Sequence, residues 1–237
     1  MSTIIRSQIA LPTDELIRFN TSFATVSTLS ISSGVCRDST DIVNIKSTSS
    51  ITVDITASGV NGLDTGSEAA STWYYVYVIL KDSDQTVAGL LSVSSTDPTM
   101  PSGYTDFRRI GEWRNDGSSN LLNGFFYGDR IKEIYYKENS GTTLRVLTGG
   151  TATSYTNVDL SSFVPPTSRM AVMELINSAT TGVCFITENG ASIDSRTTNL
   201  GSTNECKIIT DSSQIIDYKV LGSATCSLEV LGFLTHL

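Results

Sequence analysis

Thr72–Leu80 reads TWYYVYVIL, an unbroken run of aromatic and β-branched residues with turn signals on either side. A run this apolar predicts a central sheet strand covered on at least one face. Strand alternation puts Trp73, Tyr75, Tyr77 and Ile79 on one face and Tyr74, Val76, Val78 and Leu80 on the other, and both sets are apolar enough to need cover. Buried tyrosine hydroxyls need partners, for which Asp38, Arg108 and Arg109 are the candidates. Arg108 and Arg109 are adjacent, so they should point oppositely, one toward a buried acid and the other toward solvent or a neighbouring subunit. KDSDQT after the run signals a hairpin into AGLLSVSS. Before it, Asn61-Gly62 and Thr65-Gly66 supply positions where positive φ is easy, and Glu68-Ala69-Ala70 has the residues for one short turn.

The same grammar runs along the chain. Strand patterns over 24–31, 42–45, 51–56, 88–93, 106–113 and 121–127 alternate with turn signals such as Ser33-Gly34, Ser58-Gly59, Pro101-Ser102-Gly103 and Asn115-Asp116-Gly117. The second half continues with 130–136, 143–147, 155–159, 170–176, 182–187, 205–209, 215–220 and 227–233. About fifteen strands is on the upper side for one sandwich, and spare strands have room in a protruding hairpin. Only 17% of residues are charged while Ser, Thr and Gly abound, which suits short strands better than helices. The predicted fold is all-β, a jelly-roll-like β-sandwich over residues 21–237 preceded by a short arm, residues 1–20, in which Thr13 is placed to cap a brief helix. Val164-Pro165-Pro166-Thr167 is the stiffest connection and predicts a crossing between sheets.

Several functions are disfavoured. The net charge is −8, and no basic cluster exceeds Arg108-Arg109, which argues against nucleic acid. No stretch approaches the roughly 20 apolar residues of a membrane span, and the first twenty residues read as no secretion signal. Cys36, Cys184, Cys206 and Cys226 show no CxxC spacing and read as buried free thiols; with His236 the sole histidine, no zinc site is expected. Asp82-Ser83-Asp84 lacks the glycine and distal glutamate of a calcium loop and reads as a plain hairpin. No metal or other cofactor is expected.

Six ordered segments carry a resemblance: Cys36-Arg37-Asp38-Ser39-Thr40, Gly62-Leu63-Asp64-Thr65-Gly66, Thr72–Tyr77, Leu90-Leu91-Ser92, Pro98–Tyr104 and Arg108-Arg109-Ile110-Gly111. Together they resemble a module of tailed-bacteriophage virion proteins, found in tail fibres, appendages and minor structural proteins. The match covers residues 36–111, with a looser echo over 155–166. It implies a β-structured virion protein, made in the host cytoplasm, without catalytic chemistry, and it carries over no active-site residue. A small component of capsid, neck or tail fits the chain's length.

The expected role is therefore a non-enzymatic structural protein of the particle, assembling with itself, as a trimer, and with other virion proteins. The alternative is host recognition, with loops at 111–120 or 189–204 binding cell-surface glycan. Exposed aromatics stack on sugars, and the pool is Trp113, Phe125-Phe126-Tyr127 and Tyr135-Tyr136, of which about half should be packed inside. Trp113, Arg109 and Tyr127 are the candidate glycan or subunit contacts. A polysaccharide depolymerase needs two suitably separated carboxylates, and Asp64, Glu68, Asp106, Glu112, Asp129 and Glu133 qualify by count alone.

Overall fold

The computed structural model describes residues 12, 15–129, 131–137, 144–179, 181–191, 196–198 and 202–237. The expected helix start at Thr13 and most of the arm lie outside them. In chain order the strands are β1 (Leu16–Arg18), β2 (Thr21–Thr25), β3 (Thr28–Ile31), β4 (Gly34–Arg37), β5 (Asn44–Ser47), β6 (Ile51–Asp54), β7 (Thr72–Lys81), β8 (Thr86–Ser92) and β9 (Asp106–Asn115). The second half adds β10 (Gly124–Gly128), β11 (Ile131–Tyr136), β12 (Arg145–Gly150), β13 (Thr156–Asp159), β14 (Met170–Asn177), β15 (Val183–Glu188), β16 (Arg196–Thr198), β17 (Thr203–Ile209), β18 (Ile215–Leu221) and β19 (Cys226–His236).

The chain forms the all-β sandwich expected from its sequence, with no helix among the described residues. A nine-stranded sheet runs β17-β14-β19-β11-β10-β2-β3-β6, with β12 also on β19; smaller sheets run β13-β18-β15-β16, β1-β4-β5 and β8-β7-β9. Every pairing between these strands is antiparallel, as hairpin-rich chains with alternating patterns allow. The two prolines connect β13 in the four-stranded sheet to β14 in the large one, which is the crossing their stiffness implied.

β7 is the centre of one of the two three-stranded sheets, between β8 and β9, and its faces divide as alternation requires from Tyr74 onward, whereas Trp73, expected on the face of Tyr75, packs against the main core with its ring edge-on to Phe233 at 5.7 Å. Tyr74, Val76, Val78 and Leu80 join the main core, while Tyr75, Tyr77 and Ile79 form a smaller cluster with Ala88 and Leu90, over which Met100, Tyr104 and Phe107 close. The hydroxyls of Tyr74 and Tyr77 meet backbone groups and that of Tyr75 meets the Thr167 side chain, rather than the expected Asp38 or arginines. Tyr74 accepts from the Ala69 N–H at 2.8 Å, and Tyr77 donates to the Ser94 carbonyl at 2.8 Å.

Turn chemistry also behaves as read. Asn61 takes φ +61°, Gly66 takes φ +74°, and the hairpin closes at residues 82–85 with Gln85 at φ +60°. Gly62 is needed for a different reason: a Cβ there would lie 2.5 Å from the Ala57 carbonyl oxygen. Gly89 lets β8 approach the large sheet, since a Cβ would stand 2.2 Å from Val53 Cγ1 and 3.0 Å from Ile31 Cδ1.

Two expectations about the first third are corrected. Residues 24–31 are not one strand but the β2–β3 hairpin, turning at Val26-Ser27. The arm does not extend to residue 20, because β1 pairs with β4 and both Leu16 and Phe19 are fully buried. The chain reverses between β1 and β2 through two consecutive left-handed residues, Arg18 (φ +63°) and Phe19 (φ +48°). Lys132, buried in β11, donates to the carbonyls of both, at 2.9 and 2.7 Å, and Asp129 accepts from the Arg18 N–H at 2.9 Å. The buried Lys132 nitrogen thus satisfies a backbone bend that two non-glycine residues must otherwise hold alone.

Candidate functional site

The β10–β11 hairpin presents the most chemically distinctive surface of the chain. Its register pairs Phe125 with Tyr135 and Tyr127 with Glu133, so strand alternation sends these four outward and sends Phe126, Lys132, Ile134 and Tyr136 into the interior. The three outward rings stand together: Phe125 and Tyr135 at 6.2 Å with planes 20° apart, Tyr127 and Tyr135 at 5.8 Å and 21°, Phe125 and Tyr127 at 6.1 Å and 33°. Cross-strand aromatic pairing stabilises the hairpin and leaves a π surface, with Tyr127 44% exposed.

Glu133 organises the polar edge of that surface. Its Oε1 accepts from the Tyr135 hydroxyl at 3.1 Å and its Oε2 from the Tyr127 hydroxyl at 3.2 Å, and Lys207 Nζ sits 2.8 Å from Oε1. Burial, then the charge of Glu133, pushes the Tyr135 hydroxyl's acidity well below the ordinary phenol range, so the proton stays on. Lys137 Nζ lies 5.4 Å from the Phe125 ring centroid, a cation on the π face. Along the same sheet the surface continues into an apolar groove of about 350 Å³, lined by Ile131, Met170, Ile209 and Leu234 with Arg169 and His236. The combination offers flat apolar area, carboxylate acceptors and ammonium donors, the set that holds a sugar ring by its C–H face and its hydroxyls.

Of the expected contacts, Tyr127 belongs to this surface. Trp113 does not: it is fully buried, donates from Nε1 to the Leu122 carbonyl at 2.7 Å and packs on Phe126 at 5.6 Å. The cause is a bulge in β9. Tyr77 pairs with Arg109 but Val76 pairs with Gly111, so Ile110 is an extra residue, and every side chain beyond it changes face. Trp113 thereby sits opposite Tyr74 in the core rather than with Arg109.

Arg109 lies elsewhere, half-buried, its guanidinium 5.7 Å from the Tyr75 ring centroid and donating to the carbonyls of Ser95 and His236 at 3.3 and 3.4 Å. The buried acid expected beside one arginine is Glu112, which is fully buried and accepts from the Thr167 hydroxyl at 3.2 Å. Burial pushes its carboxyl up, and the charge of Arg109 is the largest opposing influence. Arg108 does not face solvent, being only 8% exposed, so that half of the expectation is corrected.

The remaining acids hold structure. Asp64 accepts from the N–H groups of Thr65 and Thr99, Glu68 from Asn115 Nδ2, Asp106 from the Thr105 hydroxyl, and Asp129 from Arg18. In the loop 111–120, Asp116 closes the turn through the N–H groups of Ser118 and Asn120. Much of the loop 189–204 lies outside the described residues. Cys36, Cys184 and Cys226 are buried thiols as expected, whereas Cys206 is only partly buried; burial pushes the Cys36 thiol up to about 12. Glu133 was a candidate only as one of six carboxylates and Lys207 was not a candidate at all, because the role of each depends on which strands become neighbours. The alternation of Phe125-x-Tyr127 against Glu133-x-Tyr135 was the available signal.

Compared with protein-family models, with curated proteins and with solved structures, the chain finds no match in any of the three.

Proposed function

We propose that the chain is a non-enzymatic structural component of a tailed-phage particle, attached to capsid, neck or tail and working as a homotrimer among other virion proteins. What supports the reading is how the six resembling segments are used: they build and brace the β8-β7-β9 sheet. Asp38 accepts from the N–H groups of Thr40, Ile42 and Val43 and from the Thr40 hydroxyl, fixing the loop beside β9; Asp64 ties residue 99 down; and Pro98–Tyr104 closes over the smaller aromatic cluster. These residues give rigidity, and many rigid copies multiply weak contacts by avidity. Ile131 and Ile209, 57% and 47% exposed on one face, supply apolar surface for a subunit contact. Size-exclusion chromatography with light scattering tests it: three times 25.5 kDa is expected, and a monomer at every concentration defeats it.

A second reading, recognition of a neutral host-surface glycan, is favoured by one observation, the Phe125–Tyr127–Tyr135 surface with Glu133 at its edge. Stacking of a sugar's C–H face on these rings supports weak, multivalent contacts. Glycan-array binding lost on Tyr127→Ala and kept on Trp113→Phe supports it, and absence of binding to any glycan or host cell removes it.

A further inference from the structure

The chain is acidic, yet it builds one recess around its only adjacent arginine pair. Arg108 and Arg109 from β9, Phe107 beside them, Ser39 from the loop after β4, and Ser95 and Thr96 from the loop after β8 line a depression of about 230 Å³. Elements far apart in sequence meet here because the Ser39 N–H donates to the Phe107 carbonyl at 2.7 Å and the Tyr77 hydroxyl holds Ser94. Two acids close by are turned to other work: Glu112 is buried beside Arg109, and Asp38 is closed by Thr40, Ile42 and Val43. Arg109 spends N–H groups on two carbonyls at 3.3 and 3.4 Å, longer than the roughly 2.7–2.9 Å that a guanidinium makes with an anion. Its fork is therefore held by two long carbonyl contacts, with the buried Glu112 behind it, over a Tyr75 ring that keeps it oriented.

We propose that this recess binds the oxyanion of a small acidic ligand, a carboxylate or sulfate as carried by an acidic sugar. Arg109 supplies the paired donors, Ser39, Ser95 and Thr96 supply hydroxyls at the rim, and Phe107 supplies an apolar edge for the ring that bears the anion. The site is separate from the aromatic surface of β10–β11 and rests on neither reading of function.

Titration of the ¹⁵N-labelled chain with glucuronate, sulfate and glucose at low ionic strength tests it. Glucuronate and sulfate are expected to shift the amides of Ser39, Ser95, Thr96 and Phe107–Arg109, and glucose to leave them in place. Arg109→Lys, which keeps the charge but loses the fork, should weaken glucuronate at least tenfold, and Thr96→Val, at the rim, several-fold with the rest of the spectrum unchanged. Shifts from both anions assign recognition to the oxyanion alone, and shifts from glucuronate only add the sugar ring; either supports the site. Overturning results are no shift with either anion, equal shifts with glucose, or glucuronate binding that neither variant alters.

Discussion

Replacing Lys132 with methionine keeps the length and apolar stem of the side chain and removes its nitrogen. Two carbonyls, those of Arg18 and Phe19, then lose donors at 2.9 and 2.7 Å in a buried place. Orphaned buried polar groups cost about 1–3 kcal/mol each, and the two left-handed residues they belong to carry a further 1–2 kcal/mol each that the lysine helps to hold. Against this stands the relief of a buried charge. Burial pushes the Lys132 ammonium down to about 7, with Asp129, Cys36 and Glu112 opposing, which corresponds to roughly 5 kcal/mol against the charged form. The neutral amine escapes that penalty and still has two N–H groups for the two close carbonyls. The expected result is a net loss of about 2–4 kcal/mol at pH 7. The sign of the pH dependence follows. Between about pH 7 and the unfolded value of 10.5 the native state binds fewer protons than the unfolded state, so wild-type stability rises with pH there, and the methionine variant lacks that rise. Urea unfolding at pH 7 and pH 9.5 measures both. Equal stability of the two proteins, or a wild-type advantage that shrinks as pH rises, refutes the reasoning.

Gly89→Ala drives a methyl into Val53 and Ile31 and should cost about 1–3 kcal/mol in thermal unfolding, whereas Gly59→Ala, with open space around it but φ +80°, should cost only its backbone strain of about 1 kcal/mol. Asp38 is buried, which alone would raise its carboxyl, but the Thr40 hydroxyl and the N–H groups of Val43, Thr40 and Ile42 hold it below the usual value. Its stabilisation is present above the unfolded value and lost as pH falls through the lower folded one, so Asp38→Asn should flatten the acid limb of the stability curve in this region. Glu174 faces Glu229 and Glu205 across neighbouring strands, and burial together with the Glu229 charge pushes its carboxyl up. Glu174→Gln should therefore raise the melting temperature at pH 7, with the gain fading as pH falls toward 4.5.

β7 and its two faces were legible because a nine-residue apolar run has few other fates, and alternation then assigns each side chain. The hairpin at residues 82–85, the positive φ at Asn61 and the crossing at Pro165-Pro166 were legible for a similar reason, since each depends on the backbone preferences of two or three residues. Trp113 was not. Its face depends on one extra residue at Ile110, and although Gly111 beside it is the kind of residue that accompanies a bulge, alternation alone does not say that the ladder slips there. β1 and β4 escaped because three- or four-residue strands such as Leu16–Arg18 owe their existence to partners distant in sequence. Lys132 reads as an exposed charge in an alternating strand; only the fold reveals the two carbonyls that receive it. The aromatic surface lay between these cases: Phe125, Tyr127 and Tyr135 were in the pool, and the hairpin register selected them.

The claim on which the functional account turns is that this sandwich assembles into a phage particle. A density map of purified particles measures that directly. The account predicts the chain in three copies about an axis on the capsid, neck or tail, with the exposed Ile131–Ile209 face against a neighbour. Particles from which the chain is absent would contradict it.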